Sequence, residues 1–106
     1  MVAAAPAAVL VSLVVLHGTV TFGPTQPVCK GGTPCTRPAA HALLEFTQKD
    51  RLRWVTTDAK GRYTARLEPG IWTVRTDIGV RVMPQRFTVR NVFTQLRNFR
   101  IDSGLR

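Results

Sequence analysis

Residues that could carry out catalysis are few and scattered along the chain. His17 and His41 stand alone, and neither has a neighbouring serine in a nucleophile-elbow context. A catalytic site needs a nucleophile, a base and an orienting group that converge. The acidic residues occur singly, mostly at positions typical of turns and without calcium-loop spacing: Glu45, Asp50, Asp58, Glu68, Asp77 and Asp102. The sequence therefore predicts a protein that is not an enzyme, with no catalytic residue, no metal site and no cofactor.

The two cysteines, Cys29 and Cys35, lie in a loop over residues 23–38 that is rich in proline and glycine. Their spacing does not match a zinc knuckle, and the second Cys or His pair of a closed zinc site is missing. A disulfide is the preferred interpretation, and it would stabilise the fold by about 2 kcal/mol by constraining a short loop. The alternative, which applies to a cytosolic protein, is a reduced pair in a mobile loop.

Arginine dominates the charged residues. Lys and Arg number 15 against 6 Asp and Glu. Because guanidinium groups stay protonated at physiological pH, anionic partners are favoured over cationic ones. Several arginines alternate with apolar positions, so we expect them to project outward and form a positive face: Arg62, Arg66, Arg75 and Arg90. The alternative is that these outward arginines only make the protein soluble.

A positive face suits acidic wall polymers, anionic lipid headgroups or the phosphates of nucleic acid. Nucleic acid is disfavoured as a partner, because Tyr63 and Trp72 fall on the inner pattern and no aromatic residue alternates with the outward arginines. Trp54 is the candidate for stacking on a glycan. The sequence does not decide which side chains of its strand face the core, since either Leu52 and Trp54 or Val55 and Thr57 could point inward. Trp54 can stack on a glycan only if it faces outward.

The strands that position these residues are centred on residues 56–74. Asp58 and Gly61 frame a turn signal that predicts a hairpin, because Asp accepts backbone N–H groups and Gly allows positive φ. Pro69 and Gly70 frame a second signal, which predicts a type II turn. Residues on every second position between and after the turns are apolar and are expected to face inward: Tyr63, Ala65, Leu67, Trp72 and Val74.

Alternation and chain breakers predict further strands on both sides of this meander. A bulge is expected near Arg97, which interrupts the pattern of the last strand, and Pro84 marks an edge or a crossing. No stretch has sustained helical periodicity, so the predicted fold is all-β, with strands packed as two antiparallel layers. The additional strands span residues 18–22, 39–47, 52–57, 80–83, 87–90 and 94–102.

The N-terminal segment is apolar over residues 2–16 apart from Ser12. It has the length of a secretory signal and is shorter than the roughly 20 residues of a spanning helix. We therefore assign residues 1–17 to a signal peptide or apolar segment and residues 18–106 to the domain. Neither a basic residue ahead of the run nor a small-residue cleavage site is present. The alternative is a buried first strand or helix over residues 9–15.

The motifs TDAKGRY and LEPGIWTV, the loop GPTQPVCKGGTPCTRPA and the terminal IDSGLR resemble a carboxypeptidase regulatory-like domain, in a small secreted bacterial form. The resemblance covers residues 18–106. It implies a prealbumin-like sandwich with seven antiparallel strands in Greek-key order, outside the cytoplasm and without catalysis. Related folds bind starch or other glycans, or serve as spacers. Hydroxyisourate hydrolases share only this architecture, because their His-containing first strand and Tyr-Arg-Gly-Ser tail are absent here.

The functional expectation is a noncatalytic extracytoplasmic module, secreted or in the cell envelope, that contacts carbohydrate or a cell-surface polyanion. The expected partners are a glycan, an anionic wall polymer or a protein. Membrane contact is expected only through an uncleaved N-terminus. The alternative is a structural module that docks a protein partner through an edge strand by β-augmentation. A third hypothesis, a hydrolase, requires a pocket that brings His41 near a carboxylate.

Overall fold

The computed structural model describes residues 12–27, 31 and 35–105. This part of the chain contains strands and no helix, which confirms the all-β prediction. Accordingly, it offers no helical segment with the length and apolarity to cross a bilayer. The strands are β1 (Val14–Gly23), β2 (Arg37–Pro38), β3 (Leu43–Gln48), β4 (Arg51–Thr56), β5 (Arg62–Leu67), β6 (Gly70–Thr76), β7 (Arg81–Met83), β8 (Arg86–Val89), β9 (Thr94–Leu96) and β10 (Phe99–Asp102).

The strands form two sheets. The first sheet is built on β1, which pairs with β5 and β9 along its first half and with β2 and β10 along its second half. Strand β7 completes this sheet beside β10. The second sheet has the order β4-β3-β6-β8 and is antiparallel throughout. Because β9 and β10 run parallel to β1, the prediction of purely antiparallel layers is wrong at these pairings.

The first strand begins at Val14, whereas the sequence pattern predicts a start at Gly18. Val14 and Leu16 are fully buried, and this half of β1 pairs with β5. Residues 14–17, which the apolar pattern assigns to a signal peptide, therefore belong to the first strand. Residues 1–11 of the proposed signal lie outside the described part of the chain. An apolar run is compatible with both structures, and pairing with β5 distinguishes them.

Alternating side chains from both sheets fill the core. On β5 every second residue is buried, and Trp72 and Val74 on β6 are buried as predicted. Tyr63, Phe46, Phe87 and Phe99 form an aromatic cluster with ring centroids 5.2–6.2 Å apart. Such pairs stabilise the core beyond the area that they bury. The predicted inward positions of the central strands are thus confirmed.

The two central turns connect strands of opposite sheets. Strand β5 belongs to the first sheet, whereas β4 and β6 belong to the second. The prediction of a hairpin and a meander is therefore wrong, and each turn is an arch over the core. Both turn signals are nevertheless present, since Gly61 has φ of 76° and Gly70 has φ of 132°. A turn signal specifies local chain reversal, and it does not decide whether the flanking strands hydrogen-bond to each other.

The break in the last predicted strand lies where Arg97 interrupts the pattern. Residues 97–98 separate β9 from β10, and the Arg97 backbone N–H donates to the His17 carbonyl at 2.9 Å. A side chain at Gly18 would collide with the Arg97 carbonyl oxygen. Here β1 exchanges one parallel neighbour for the other. A bulge would insert one unpaired residue, but the register is unchanged across this point, since His17 pairs with Leu96 and Val20 with Phe99. The predicted bulge near Arg97 is therefore wrong, and a break between two strands lies there.

Candidate functional site

The outer surface of the second sheet carries an exposed tryptophan among polar and apolar side chains. Trp54 on β4 is 63% exposed. The strand register places it opposite Glu45 on β3, which in turn stands opposite Arg75 on β6. The next row along the strands also includes an exposed leucine and consists of Leu52, Thr47, Thr73 and Arg86. We call this surface the Trp54 face, and it comprises Glu45, Thr47, Leu52, Trp54, Ile71, Thr73, Arg75 and Arg86.

The inner side of β4 explains why Trp54 faces outward. Val55 is half-buried, and Thr57, just beyond the strand, is buried. The Thr57 hydroxyl donates to the Ala39 carbonyl and accepts the Ala42 N–H at 2.8 Å. Side chains of a strand alternate between its faces, so these inward positions turn Trp54 to solvent. Of the two alternatives that the sequence allows, Val55 and Thr57 face inward, and Leu52 and Trp54 face outward.

A buried carboxylate holds β4 in this orientation. Glu68 is 4% exposed. Its carboxylate oxygens accept hydrogen bonds from Arg53 Nη2 at 3.2 and 3.0 Å, and Arg51 Nη1 lies 3.1 Å from Oε2. Because Arg51 and Arg53 occupy alternate positions of β4, both contacts attach the strand's inner side to the turn after β5. The sequence pattern predicts only a turn at Glu68, and nothing in the local pattern indicates its partners.

An open depression of about 800 Å³ adjoins the Trp54 face at one end. Thr47, Thr73 and Arg86 of the face contribute to its lining, together with Lys49 and Arg51 from the β3–β4 turn. Hydroxyl and cationic groups thus line a recess that is open to solvent, together with one carboxylate, Asp50, and the apolar Ile71. Such groups donate hydrogen bonds to hydroxyl, carboxylate or phosphate oxygens of a ligand.

The predicted arginines do not share one surface. Arg62 and Arg66 project from β5 on the outside of the first sheet, Arg75 belongs to the Trp54 face, and Arg90 follows β8. Arg62 is also engaged, since its Nε lies 2.9 Å from Asp58 Oδ2. The backbone N–H of Arg62 donates to the same carboxylate at 2.9 Å, and this contact foremost lowers the pKa of Asp58. Of the predicted set, only Arg75 lies close to Trp54.

The histidines lie apart from each other. His17 is exposed on β1, and His41 occupies the turn before β3 with φ of 55°. The His41 backbone N–H donates to the Asp58 carbonyl at 3.3 Å. In the described ranges, no imidazole hydrogen-bonds a carboxylate, and no group of His, Cys, Asp and Glu is arranged to hold a metal ion.

The cysteine loop is described only in part. Cys35 lies within the described residues, and its carbonyl accepts the Thr25 N–H at 2.8 Å. Cys29 lies outside them. The predicted Cys29–Cys35 disulfide therefore stays a prediction.

The sandwich is similar to one solved structure at the level of fold. That structure is a DUF3823 family protein from Parabacteroides merdae, with a TM-score of 0.53 and 21% sequence identity. The match covers 85% of this chain and 46% of that one, so this chain spans less than half the length of that protein. No protein-family model and no curated protein matches the sequence. The likeness shows a β-sandwich fold and carries no information on activity.

Proposed function

We propose that this protein is a noncatalytic β-sandwich module that binds an acidic glycan on its Trp54 face, outside the cytoplasm. The observation that carries the proposal is the exposure of Trp54, 63%, on a strand whose inner side is held by buried contacts. A tryptophan presented to water on a regular sheet is an amphipathic platform. The apolar C–H surface of a sugar ring can stack on it, while the sugar hydroxyls bond to neighbouring polar groups.

The polar neighbours favour an acidic sugar polymer over a neutral one. Arg75 and Arg86 lie on the Trp54 face itself, and Lys49 lines the adjoining depression next to Asp50. Arg51 also lines the depression, but Glu68 already holds its guanidinium group. Arginine binds carboxylate and phosphate oxygens through paired N–H groups. Glu45 provides an acceptor for sugar hydroxyls beside the tryptophan. A uronic acid or a phosphodiester-linked wall polymer meets this arrangement better than starch does.

The location and the finer fold assignment belong to the same proposal. The apolar N-terminal segment and the predicted Cys29–Cys35 disulfide support export. The resemblance to carboxypeptidase regulatory-like domains supports a Greek-key order and an accessory role, and the ten strands of the described residues exceed the seven that it implies. If the leader is removed, cleavage must precede Val14, because cleavage after His17 would remove the buried side chains of Val14 and Leu16. Mass spectrometry of exported protein identifies the cleavage point.

The experiment is a titration of the full chain with acidic and neutral oligosaccharides by calorimetry, at low and high salt. We expect acidic sugars to bind, and we expect Trp54→Ala to weaken that binding at least about tenfold through loss of the stacking surface. Arg75→Glu should weaken it by a similar factor, and more at low salt. Leu96→Ala and Arg100→Glu are the matched controls, since both residues are exposed outside the Trp54 face. Equal affinity of Trp54→Ala and the unchanged chain would contradict the proposal.

A second candidate function is docking of a protein partner along β4. This strand is hydrogen-bonded to β3 on one side and forms an edge of the second sheet, so its other side can add a strand. The arginines of β4 and their contacts with Glu68 work against such pairing, since charged side chains protect edges. The variant Arg75→Glu distinguishes the two functions, because it should reduce glycan binding and leave docking along the β4 edge unchanged.

A further inference from the structure

Exposed apolar side chains collect at one end of the sandwich. Phe93 is 93% exposed, and Leu13 and Val92 are also exposed. The Val15 backbone N–H donates to the Phe93 carbonyl at 2.9 Å, which brings the loop before β9 against the start of β1. We call the surface formed by Leu13, Val92 and Phe93 the Phe93 end. It is separate from the Trp54 face, which lies on the outside of the other sheet.

The exposure of Phe93 is built into the loop. Gln95 is buried, and its side chain accepts the Arg90 N–H at 2.8 Å and donates to the Thr88 carbonyl at 2.9 Å. The Val92 N–H donates to the Arg90 carbonyl at 2.9 Å. These bonds tie both ends of the loop to the sheet and leave the phenyl ring outside the core. A group of neighbouring exposed apolar side chains marks an interaction surface, whereas a single one does not.

Basic residues flank this apolar surface. Arg66 stands opposite Val15 in the register of β5 and β1, and Arg90 begins the loop that carries Phe93. Residues 88–96 contain no Asp or Glu. Glu68, at the same end, is buried, and Arg51 and Arg53 compensate its charge. The exposed carboxylate at this end is that of Asp50, which follows Lys49 in the β3–β4 turn. An apolar tip with a cationic rim complements a bilayer whose headgroups are anionic.

We infer that the Phe93 end docks on an anionic lipid bilayer, with Phe93 entering the headgroup region and Arg66 and Arg90 contacting lipid phosphates. In this orientation the Trp54 face, on the side of the sandwich, stays accessible to a soluble ligand. The inference does not depend on glycan binding, because it concerns other residues on another surface.

Co-sedimentation of the full chain with phosphatidylcholine vesicles, with and without phosphatidylglycerol, tests the inference. We expect binding to the anionic vesicles that Phe93→Ala weakens about tenfold, as loss of a buried phenyl ring requires. Phe93→Leu should retain most of it. The double variant Arg66→Glu and Arg90→Glu should weaken binding by at least about tenfold, and only when phosphatidylglycerol is present. Val80→Ala is the control, since Val80 is an exposed apolar residue outside the Phe93 end.

Residues 1–11 are the same in every variant, so differences between variants report on the Phe93 end itself. Equal vesicle binding by Phe93→Ala and the unchanged chain overturns the inference, as does absence of binding to anionic vesicles. A lower melting temperature of free Phe93→Ala would assign the ring to an intramolecular contact, and Phe93-dependent dimerisation without lipid would assign it to a second copy. Either result also overturns the inference.

Fluorescence provides an independent readout. The chain has two tryptophans, and Trp72 is fully buried. In a Trp54→Phe background, Phe93→Trp introduces an indole at the proposed contact. We expect its emission to shift to the blue when phosphatidylglycerol vesicles are added and to be quenched by brominated lipid. Unchanged emission in the presence of bound vesicles would show that another surface makes the contact.

Discussion

At the scale of single residues, Glu68 has the largest influence on the proposed glycan site. Its carboxylate lies inside the protein, whereas the guanidinium groups of Arg51 and Arg53 are half-exposed. A carboxylate buried in this way is stabilised only while its partners stay in place. Because Arg51 and Arg53 bind Glu68, their side chains lie on the inner side of β4. Trp54, at the alternate position, therefore lies on the outer side. The residue that orients the tryptophan is thus distant from it in sequence and faces the opposite side of the sheet.

Glu68→Gln should destabilise the protein by about 2 kcal/mol, because two half-exposed arginines lose the buried carboxylate that accepts their hydrogen bonds. Urea denaturation measures this change. Hydrogen exchange should quicken in β4 more than in β3, since β4 loses its attachment to the turn after β5. Asp50→Asn, at an exposed carboxylate, is the control and should change stability by less than about 0.5 kcal/mol. Uniform exchange rates across β3 and β4 would argue against a local role for Glu68.

Tyr63 makes the stability of the protein depend on pH in the alkaline range. Its hydroxyl donates to the Arg97 carbonyl at 2.6 Å, and burial raises the pKa of the phenol above its usual value of 10.0. The neutral phenol is favoured in the folded state, so stability is fully present below pH 10.0 and falls as the pH rises above it. Tyr63 is the single tyrosine of the chain. Tyr63→Phe should therefore reduce the alkaline fall.

The urea concentrations at the unfolding midpoint, measured at neutral pH and above pH 10.0, report this effect. The variant should lose about 1 kcal/mol at neutral pH, because the Arg97 carbonyl loses its donor. It should then lose less than the unchanged chain as the pH is raised. The lysines titrate alike in both proteins and cancel in the comparison. Parallel pH profiles would mean that the phenol ionises freely in the folded protein.

At the scale of the elements, β1 connects the whole first sheet. Its first half lies between β5 and β9, and its second half lies between β2 and β10. Gly18 allows the exchange because the Arg97 carbonyl takes the space of a side chain. Both halves of β1 contribute to the core, through Val14 and Leu16 before the exchange and Val20 after it. Loss of the first half would leave β5 without its hydrogen-bonded partner.

Leu16→Ala should cost about 3 kcal/mol of stability, because it opens a cavity in a fully buried position. Leu96→Ala is the matched control, since Leu96 lies on the neighbouring strand and is 63% exposed. It should change stability by less than about 0.5 kcal/mol. Thermal or urea denaturation measures both variants. Similar small effects in the two would show that β1 before Gly18 does not belong to the folded core.

Alternation within strands could be predicted from the sequence, but partnership between strands could not. Tyr63 and Trp72 face inward as the pattern of apolar residues indicates, since that pattern depends only on neighbours in sequence. The sequence does not predict the arches, because the same turn residues occur whether the two flanking strands pair with each other or belong to different sheets. The register of β4 depends on Glu68, which is 15 residues from Arg53. Long-range contacts of this kind also separate Arg62 and Arg66 from Arg75.

At the scale of the whole molecule, the two proposed surfaces occupy different parts of the sandwich. The Trp54 face lies along the second sheet, and the Phe93 end lies where β1 begins and β8 ends. The net charge of +9 attracts anionic surfaces and polymers in general. The exposed aromatic residues would give each surface its own selectivity. In the proposed arrangement, the module holds an acidic glycan close to a membrane.

The most direct test of the glycan proposal is an NMR titration of the ¹⁵N-labelled protein with an acidic oligosaccharide. We predict that the indole N–H signal of Trp54 and the backbone amides of β3, β4 and β6 around Glu45 and Arg75 shift progressively. The indole N–H signal of Trp72 should not shift, because this side chain is buried and donates to the Glu68 carbonyl at 2.7 Å. Shifts confined to the first sheet, or an unchanged Trp54 signal at saturating sugar, would contradict the account.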